Sequence, residues 1–216
     1  MKYTHIVFDL DGTLLDNEAA IILSLQETIQ ALCGYTPKAE DLTFSLGIPG
    51  TETLKIFPID DVPAALALWI KHLNAHGDMV AIFSDMQKTL EHLQSLGYQL
   101  GIVTSKTRQE FEVDFPRFGL SAYFGTVICA EDTTEHKPLP APMYKYMELT
   151  NTTSQNLLYI GDSIYDMHCA LKAGVEFALA GWGARRQTGA LTILHTHSAI
   201  LDLISKKGHT IDSEIK

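Results

Sequence analysis

The chain has 216 residues, longer than one ordinary domain and shorter than two full ones, so a core carrying a sizeable insertion is expected. With 46% hydrophobic and 19% charged residues it can bury a core, and its longest purely apolar stretches, such as Ile21–Leu23, are far too short to span a membrane. A formal charge of −10, with 16 Lys and Arg spread along the chain, argues against nucleic acid as a partner but leaves a small anionic substrate open, because salt screens surface charges beyond roughly 8 Å.

Neither a basic region nor a cleavable apolar segment precedes the first strand-like run, so a cytoplasmic location is the expectation. That run, Ile6–Phe8, is apolar throughout and ends at Asp9-Leu10-Asp11-Gly12-Thr13. A mostly helical stretch follows. Ile22, Leu25, Ile29 and Leu32 predict a helix stopping at Gly34, and Leu66, Trp69, Ile70 and Leu73 predict another stopping at Gly77. These segments read as an α-helical insertion over residues 16–83, with residues 1–15 and 84–216 forming the core. Met86, Leu90, Leu93 and Leu96 place a helix over Ser84–Leu96 that returns the chain to the core and stops at Gly97. Four more apolar runs, Leu100–Val103, Thr126–Ile128, Leu157–Ile160 and Phe177–Ala180, alternate with helical patterns. The rhythm predicts an α/β fold, a Rossmann-like doubly wound parallel sheet covered on both faces. Pro116 should shorten the helix after Leu100–Val103, and the polar stretch Lys206–Lys216 should fray. Cys33, Cys129 and Cys169 fall in no C-x-x-C spacing and are expected to be reduced and packed.

Ligands of open parallel sheets sit beyond the carboxyl ends of the strands, where Asp9 and Asp11 lie. A turn with two solvated acids would explain them equally well. A calcium loop would not, since Leu14 stands where its glycine belongs and Ala20 where its glutamate belongs. Hard oxygen ligands in a pair suit Mg²⁺ better than Zn²⁺. After the next run come Thr104 and Ser105, which could merely cap a helix. Lys137 stands in His136-Lys137-Pro138. Gly161-Asp162-Ser163-Ile164-Tyr165-Asp166 follows Leu157–Ile160; Ser163 with Asp166 has capping-box spacing, which leaves Asp162 unexplained.

Phe8-Asp9-Leu10-Asp11-Gly12-Thr13, followed in order by Thr104-Ser105, Lys137 and Gly161–Asp166, resembles the four motifs of the haloacid dehalogenase-like (HAD) superfamily of phosphohydrolases. The insertion after the first motif resembles the small helical cap of its phosphoglycolate-phosphatase and β-phosphoglucomutase branch. The resemblance implies a Mg²⁺-dependent phosphatase acting on a small phosphorylated metabolite through an aspartyl-phosphate. Asp9 would be the nucleophile and Asp11 the acid and base, while Thr104 and Lys137 would stabilise the phosphoryl group. Gly12, Thr13, Thr104, Ser105 and Lys137 would bind substrate, with Thr13 also orienting Asp11. Mg²⁺ would be held by Asp9, Asp162 and the main-chain carbonyl of Asp11, with Asp166 in support.

A β-phosphoglucomutase-like phosphotransferase, a pyrophosphatase and a noncatalytic Mg²⁺-binding protein of the same fold are the alternatives. A monomer or small homo-oligomer is expected. The insertion would act as a lid hinged near Asp16-Asn17 and Phe83-Ser84. Relatives commonly carry a Pro-Gly turn where this chain has Phe83-Ser84-Asp85-Met86. Gly47–Thr51 and Lys55 are candidates for substrate choice, although a helix connection and a surface charge explain them as well. His195 with His197 lacks an evident third ligand for a metal, and Arg185-Arg186 reads as solvated charge.

Overall fold

The computed structural model describes residues 2–184 and 188–208. The first apolar run forms β1 (His5–Phe8), in which side chains alternate between faces: Ile6 and Phe8 enter one hydrophobic cluster, Val7 another on the opposite side of the sheet. All three are fully buried, each contributing roughly 1.5–3 kcal/mol relative to exposure.

The other apolar runs also form strands, β4 (Gln99–Val103), β5 (Thr126–Ile128), β6 (Leu157–Gly161) and β7 (Glu176–Ala180), in a parallel sheet ordered β5-β4-β1-β6-β7-β8. The edge strand β8 (Ile193–Leu194) was not expected; only Leu194 of its two residues is buried, too little for an alternation to show. Helices α4 (Met86–Ser95), α5 (Arg108–Asp114) and α8 (Ala199–Gly208) supply Met86, Leu90, Leu93, Phe111, Ile200 and Ile204 to one face of the sheet. On the other, α6 (Ala141–Thr150) and α7 (Ile164–Lys172) supply Met143, Tyr146, Met167 and Cys169. The fold is therefore the doubly wound α/β sheet the sequence predicts. Among the described residues no helix is long and apolar enough to cross a membrane.

Residues between β1 and α4 form α1 (Glu18–Cys33), the short α2 (Gly50–Leu54) and α3 (Val62–Ala75). Ile22, Leu25, Ile29, Leu54, Ala65 and Trp69 make a hydrophobic cluster of their own, and the Trp69 indole donates to Ser24 Oγ at 2.9 Å. The chain enters and leaves this unit through β2 (Leu15–Asp16) and β3 (Ala81–Ile82), which pair antiparallel. Both crossings are thus tied to each other, a two-residue ladder too short to read from sequence.

Several boundaries differ from expectation. Helix α3 ends at Ala75, before Gly77, and α4 begins at Met86 because Asp85 takes a left-handed conformation (φ 61°). Leu32 and Leu96 lie at the ends of their helices and are 46% and 42% exposed, so the apolar stripes stop one turn short of the spacing. Pro116 starts a short 3-10 turn after α5, which is indeed brief. Cys129 and Cys169 are buried, and burial pushes both thiols up to about 12, which keeps them unreactive. His195 is exposed, whereas His197 packs edge-on against Trp182 at 4.4 Å. Arg185-Arg186 and residues 209–216 lie outside the described residues.

Candidate active site

Strand register builds the site. Phe8 is level with Ile102 of β4 and Ile160 of β6, and the Asp9 amide continues the ladder by donating to the Ile160 carbonyl at 2.8 Å. The residues that follow these three central strands, Asp9, Thr104 and Asp162, are thereby brought to one edge of the sheet. Asp9, Asp162 and Asp166 each offer a carboxylate oxygen within 4.8 Å of the others.

Lys137 lies among them. Its Nζ donates to Asp9 Oδ1 and to Asp166 Oδ1, both at 2.8 Å, and its side chain is 1% exposed. Burial opposes the charge, but Asp166 and Asp9 outweigh it and hold the ammonium above the usual lysine range. Burial, with the Asp166 charge adding and Lys137 opposing, pushes the Asp9 carboxyl up to about 7. Burial and the charges of Asp166 and Asp9 likewise raise Asp162 well above the ordinary range. One lysine against three clustered carboxylates leaves an excess of negative charge. Three hard oxygen donors that repel one another in this way fit a divalent cation of the Mg²⁺ type.

Asp166 is spoken for by protein donors. Besides Lys137 it has the Tyr159 hydroxyl at 2.9 Å and the Ser163 amide at 3.1 Å, the latter as part of the capping box that opens α7. Tyr159, fully buried on β6, also lies 2.9 Å from the Val103 carbonyl and so ties two motif strands together.

The Asp11 carboxylate stands outside the cluster and is held by one residue of the insertion and one of the core. The Asn17 amide donates to its Oδ1, and Lys106 Nζ approaches the same oxygen at 3.6 Å. The Thr13 side chain is fully buried and its Oγ1 donates to Asp162 Oδ1 at 3.2 Å, not to Asp11. The Gly12 amide donates to the Leu15 carbonyl at 2.8 Å, so it too serves the turn. Ser105 Oγ donates to the Gly47 carbonyl at 3.0 Å, linking the second motif to the insertion, and Thr104 Oγ1 accepts from the Lys106 amide at 3.2 Å. Lys55 pairs with Glu52 on the surface.

Two glycines allow close approach, one to a side chain of the site and one between backbone segments. Gly12 has φ +73°, and a Cβ there would stand 2.4 Å from Asp162 Oδ2; one on Gly183 would stand 1.7 Å from the Gly12 carbonyl oxygen. Gly183→Ala is therefore expected to cost roughly 1–3 kcal/mol by overpacking and to lower kcat by displacing the Asp9–Thr13 turn. Thermal melts and steady-state kinetics check it; wild-type values in both would show that the contact yields freely.

Sequence reasoning missed Asn17, Lys106 and Tyr159. Lys106 had a signal: a lysine two residues past Thr104, directly beyond a buried strand.

The parallel sheet with acids beyond its central strands defines a doubly wound α/β core with an acidic site at the carboxyl ends of its strands. Residues 6–180 match the family model described as haloacid dehalogenase-like hydrolase, and the chain belongs to that family. It is similar to pyrophosphatase PpaX of Bacillus velezensis, 30% identical over 183 residues (84% of each chain), and to pyrophosphatase PpaX of Halalkalibacterium halodurans, 28% identical over 96% of this chain and 99% of that one. A solved structure from Lactobacillus plantarum, provisionally described as a phosphoglycolate phosphatase, superposes with a TM-score of 0.84 at 28% identity, covering 94% of this chain and all of that one.

Proposed function

We propose that the chain is a Mg²⁺-dependent phosphatase that hydrolyses small phosphorylated metabolites through an aspartyl-phosphate on Asp9. The observation that carries this reading is the meeting of Asp9, Asp162 and Asp166 around Lys137, with a separate carboxylate, Asp11, beside it. The names of the relatives make pyrophosphate and phosphoglycolate the first substrates to try.

In this reading Asp9, Asp162 and the Asp11 carbonyl hold the cation, and Asp166 fixes Lys137 and the start of α7. Bound there, Mg²⁺ supplies positive charge that offsets repulsion between the carboxylates and a phosphoryl group. Lys137 engages Asp9 Oδ1, leaving Oδ2 to form the bond to phosphorus. As that bond forms, the bond to the leaving oxygen breaks and Asp11 donates a proton to it. Asp11 then takes a proton from the water that attacks phosphorus, which releases phosphate and restores Asp9. Thr104 and Lys137 hold phosphoryl oxygens throughout. The insertion, residues 16–83, serves as the lid, and the Ser105–Gly47 hydrogen bond is one of its contacts when closed.

Phosphate release from p-nitrophenyl phosphate, pyrophosphate and phosphoglycolate, with Mg²⁺ and after chelation by EDTA, tests the reading; release that survives chelation would overturn it. A second outcome concerns the acids themselves. With no cation Asp162 is a repelled carboxylate, so Asp162→Asn should raise the melting temperature of EDTA-treated protein by about 2–4 °C, equivalent to roughly 1 kcal/mol in a chain of this size. The same variant should lose the Mg²⁺-induced rise of the parent protein. A variant that melts lower without metal yet keeps that rise would remove Asp162 from the ligand set.

A further inference from the structure

Two segments that the proposed chemistry leaves unused, Gly181-Trp182-Gly183 and His197, meet at the turn that carries Asp9 and Asp11. That turn closes largely on itself: the Gly12 amide donates to the Leu15 carbonyl, and the Thr13, Leu14 and Leu15 amides share the Leu10 carbonyl. The carbonyls of Thr13 and Leu14 are satisfied from outside it. The Trp182 indole Nε1 donates to the first at 3.0 Å, and the amide of Phe83, where the insertion rejoins the core, donates to the second at 3.3 Å. Thr13 and Leu14 are fully buried, so neither carbonyl can exchange its donor for water.

Trp182 reaches its acceptor from a fixed seat. Gly183 lies hard against the Gly12 carbonyl, and a Cβ on Gly181 would stand 2.9 Å from the Leu194 carbonyl oxygen. The His197 ring packs against both outside donors, its centroid 4.4 Å from that of Trp182 and 5.9 Å from that of Phe83. Burial holds the imidazole below the ordinary histidine range, which makes it an uncharged ring at neutral pH, and its Nε2 is buried with no hydrogen-bond partner among the described residues. A nitrogen left unpaired in this way is a costly means of filling space, so packing alone does not account for the histidine.

The geometry points to Trp182 as a positioning residue for the reaction, with His197 as the wedge that keeps Trp182 and Phe83 on the turn. This rests on the phosphatase reading and adds to it two residues outside the four motifs. In that reading the turn presents the Asp9 carboxylate together with the carboxylate and carbonyl of Asp11, whereas Thr104 and Lys137 hold the phosphoryl group from other segments. Loosening the turn therefore slows chemistry more than it weakens substrate binding.

The test measures kcat and KM of the full chain on p-nitrophenyl phosphate with Mg²⁺, at a temperature where melting curves show each variant folded. Trp182→Phe keeps a ring and loses the N–H; kcat should fall about tenfold or more, since misplacing a reacting group by about 1 Å can cost 10²-fold, while KM stays within about twofold. His197→Ala should lower kcat about tenfold, and His197→Phe, which restores the ring and forfeits only a hydrogen bond with the Ser84 main chain, should stay within about threefold of wild type. A folded Trp182→Phe protein with wild-type kcat, or a loss carried by KM instead, would overturn the inference. Should that variant not fold, the His197 pair decides: wild-type kcat in His197→Ala, or equal losses in both, would overturn it. A second readout needs no turnover. Of the indole N–H signals of the two tryptophans in an NMR spectrum, the one missing from Trp182→Phe protein should move when Mg²⁺ is added to the wild type. A stationary signal at Mg²⁺ concentrations that raise the melting temperature would overturn the inference. A wild-type protein with neither Mg²⁺-dependent release nor any Mg²⁺-induced rise would instead overturn the phosphatase reading on which it rests.

Discussion

Asp9→Asn should abolish phosphate release, lowering kcat by roughly 10⁴-fold or more, the scale on which a lost nucleophile acts. The substitution is close to isosteric: the Asn carbonyl can still accept from Lys137, whose 2.8 Å contact is to Oδ1 alone, and burial pushes the wild-type carboxyl up to about 7, so a neutral side chain is well tolerated there. The folded state should therefore persist, or even gain stability without metal, while chemistry stops. Denaturing quench of the wild type with labelled substrate should leave label on Asp9, and the variant should leave none. Label that persists in Asp9→Asn protein would place the nucleophile elsewhere.

Lys137→Met should damage both fold and function. Lys137 Nζ is the shared donor to Asp9 and Asp166 in a site from which water is nearly excluded, and its removal strands two carboxylates. Breaking a buried ion pair in this way costs about 3–5 kcal/mol, far beyond the roughly 0–1 kcal/mol of an exposed pair such as Lys55–Glu52. Denaturant unfolding should show that loss in metal-free protein, and Mg²⁺ should recover part of it by neutralising the same acids. Activity should remain depressed by about 10²–10³-fold even in saturating Mg²⁺, because a group aimed at developing charge is gone. Lys137→Arg should not restore it, since a planar guanidinium cannot meet Asp9, Asp166 and Tyr159 from one point as the ammonium does. Full activity in either variant would assign the lysine a structural role only.

What could be read in advance and what could not divides along physical lines. Asp9, Thr104 and Asp162 were legible because each follows an apolar run, and in a parallel sheet the ends of adjacent strands must lie together. Lys137 was legible only through its resemblance to a motif: it comes from a loop, and nothing in His136-Lys137-Pro138 says where its side chain turns. Thr13 was expected to orient Asp11, yet the turn at Gly12 aims its hydroxyl at Asp162. The work falls to Asn17 and Lys106, six and ninety-five positions further along the chain. Tyr159 sits in a strand whose every residue is buried, so its hydroxyl gave no sign against an apolar background.

The amino-acid sequence by itself determined five of the six strands of the sheet, its helical cover and the interruption by a helical unit, because short apolar runs and the three-to-four spacing of apolar residues are local consequences of which faces must leave water. It also marked the acids at the strand ends. Tertiary structure alone decided who serves whom: that one ammonium divides itself between Asp9 and Asp166, that Lys106 approaches Asp11 from the end of another strand, and that the Tyr159 hydroxyl reaches Asp166. Those pairings depend on distances between segments far apart in the chain, and electrostatic and hydrogen-bond energies change steeply over such distances while sequence spacing carries no trace of them.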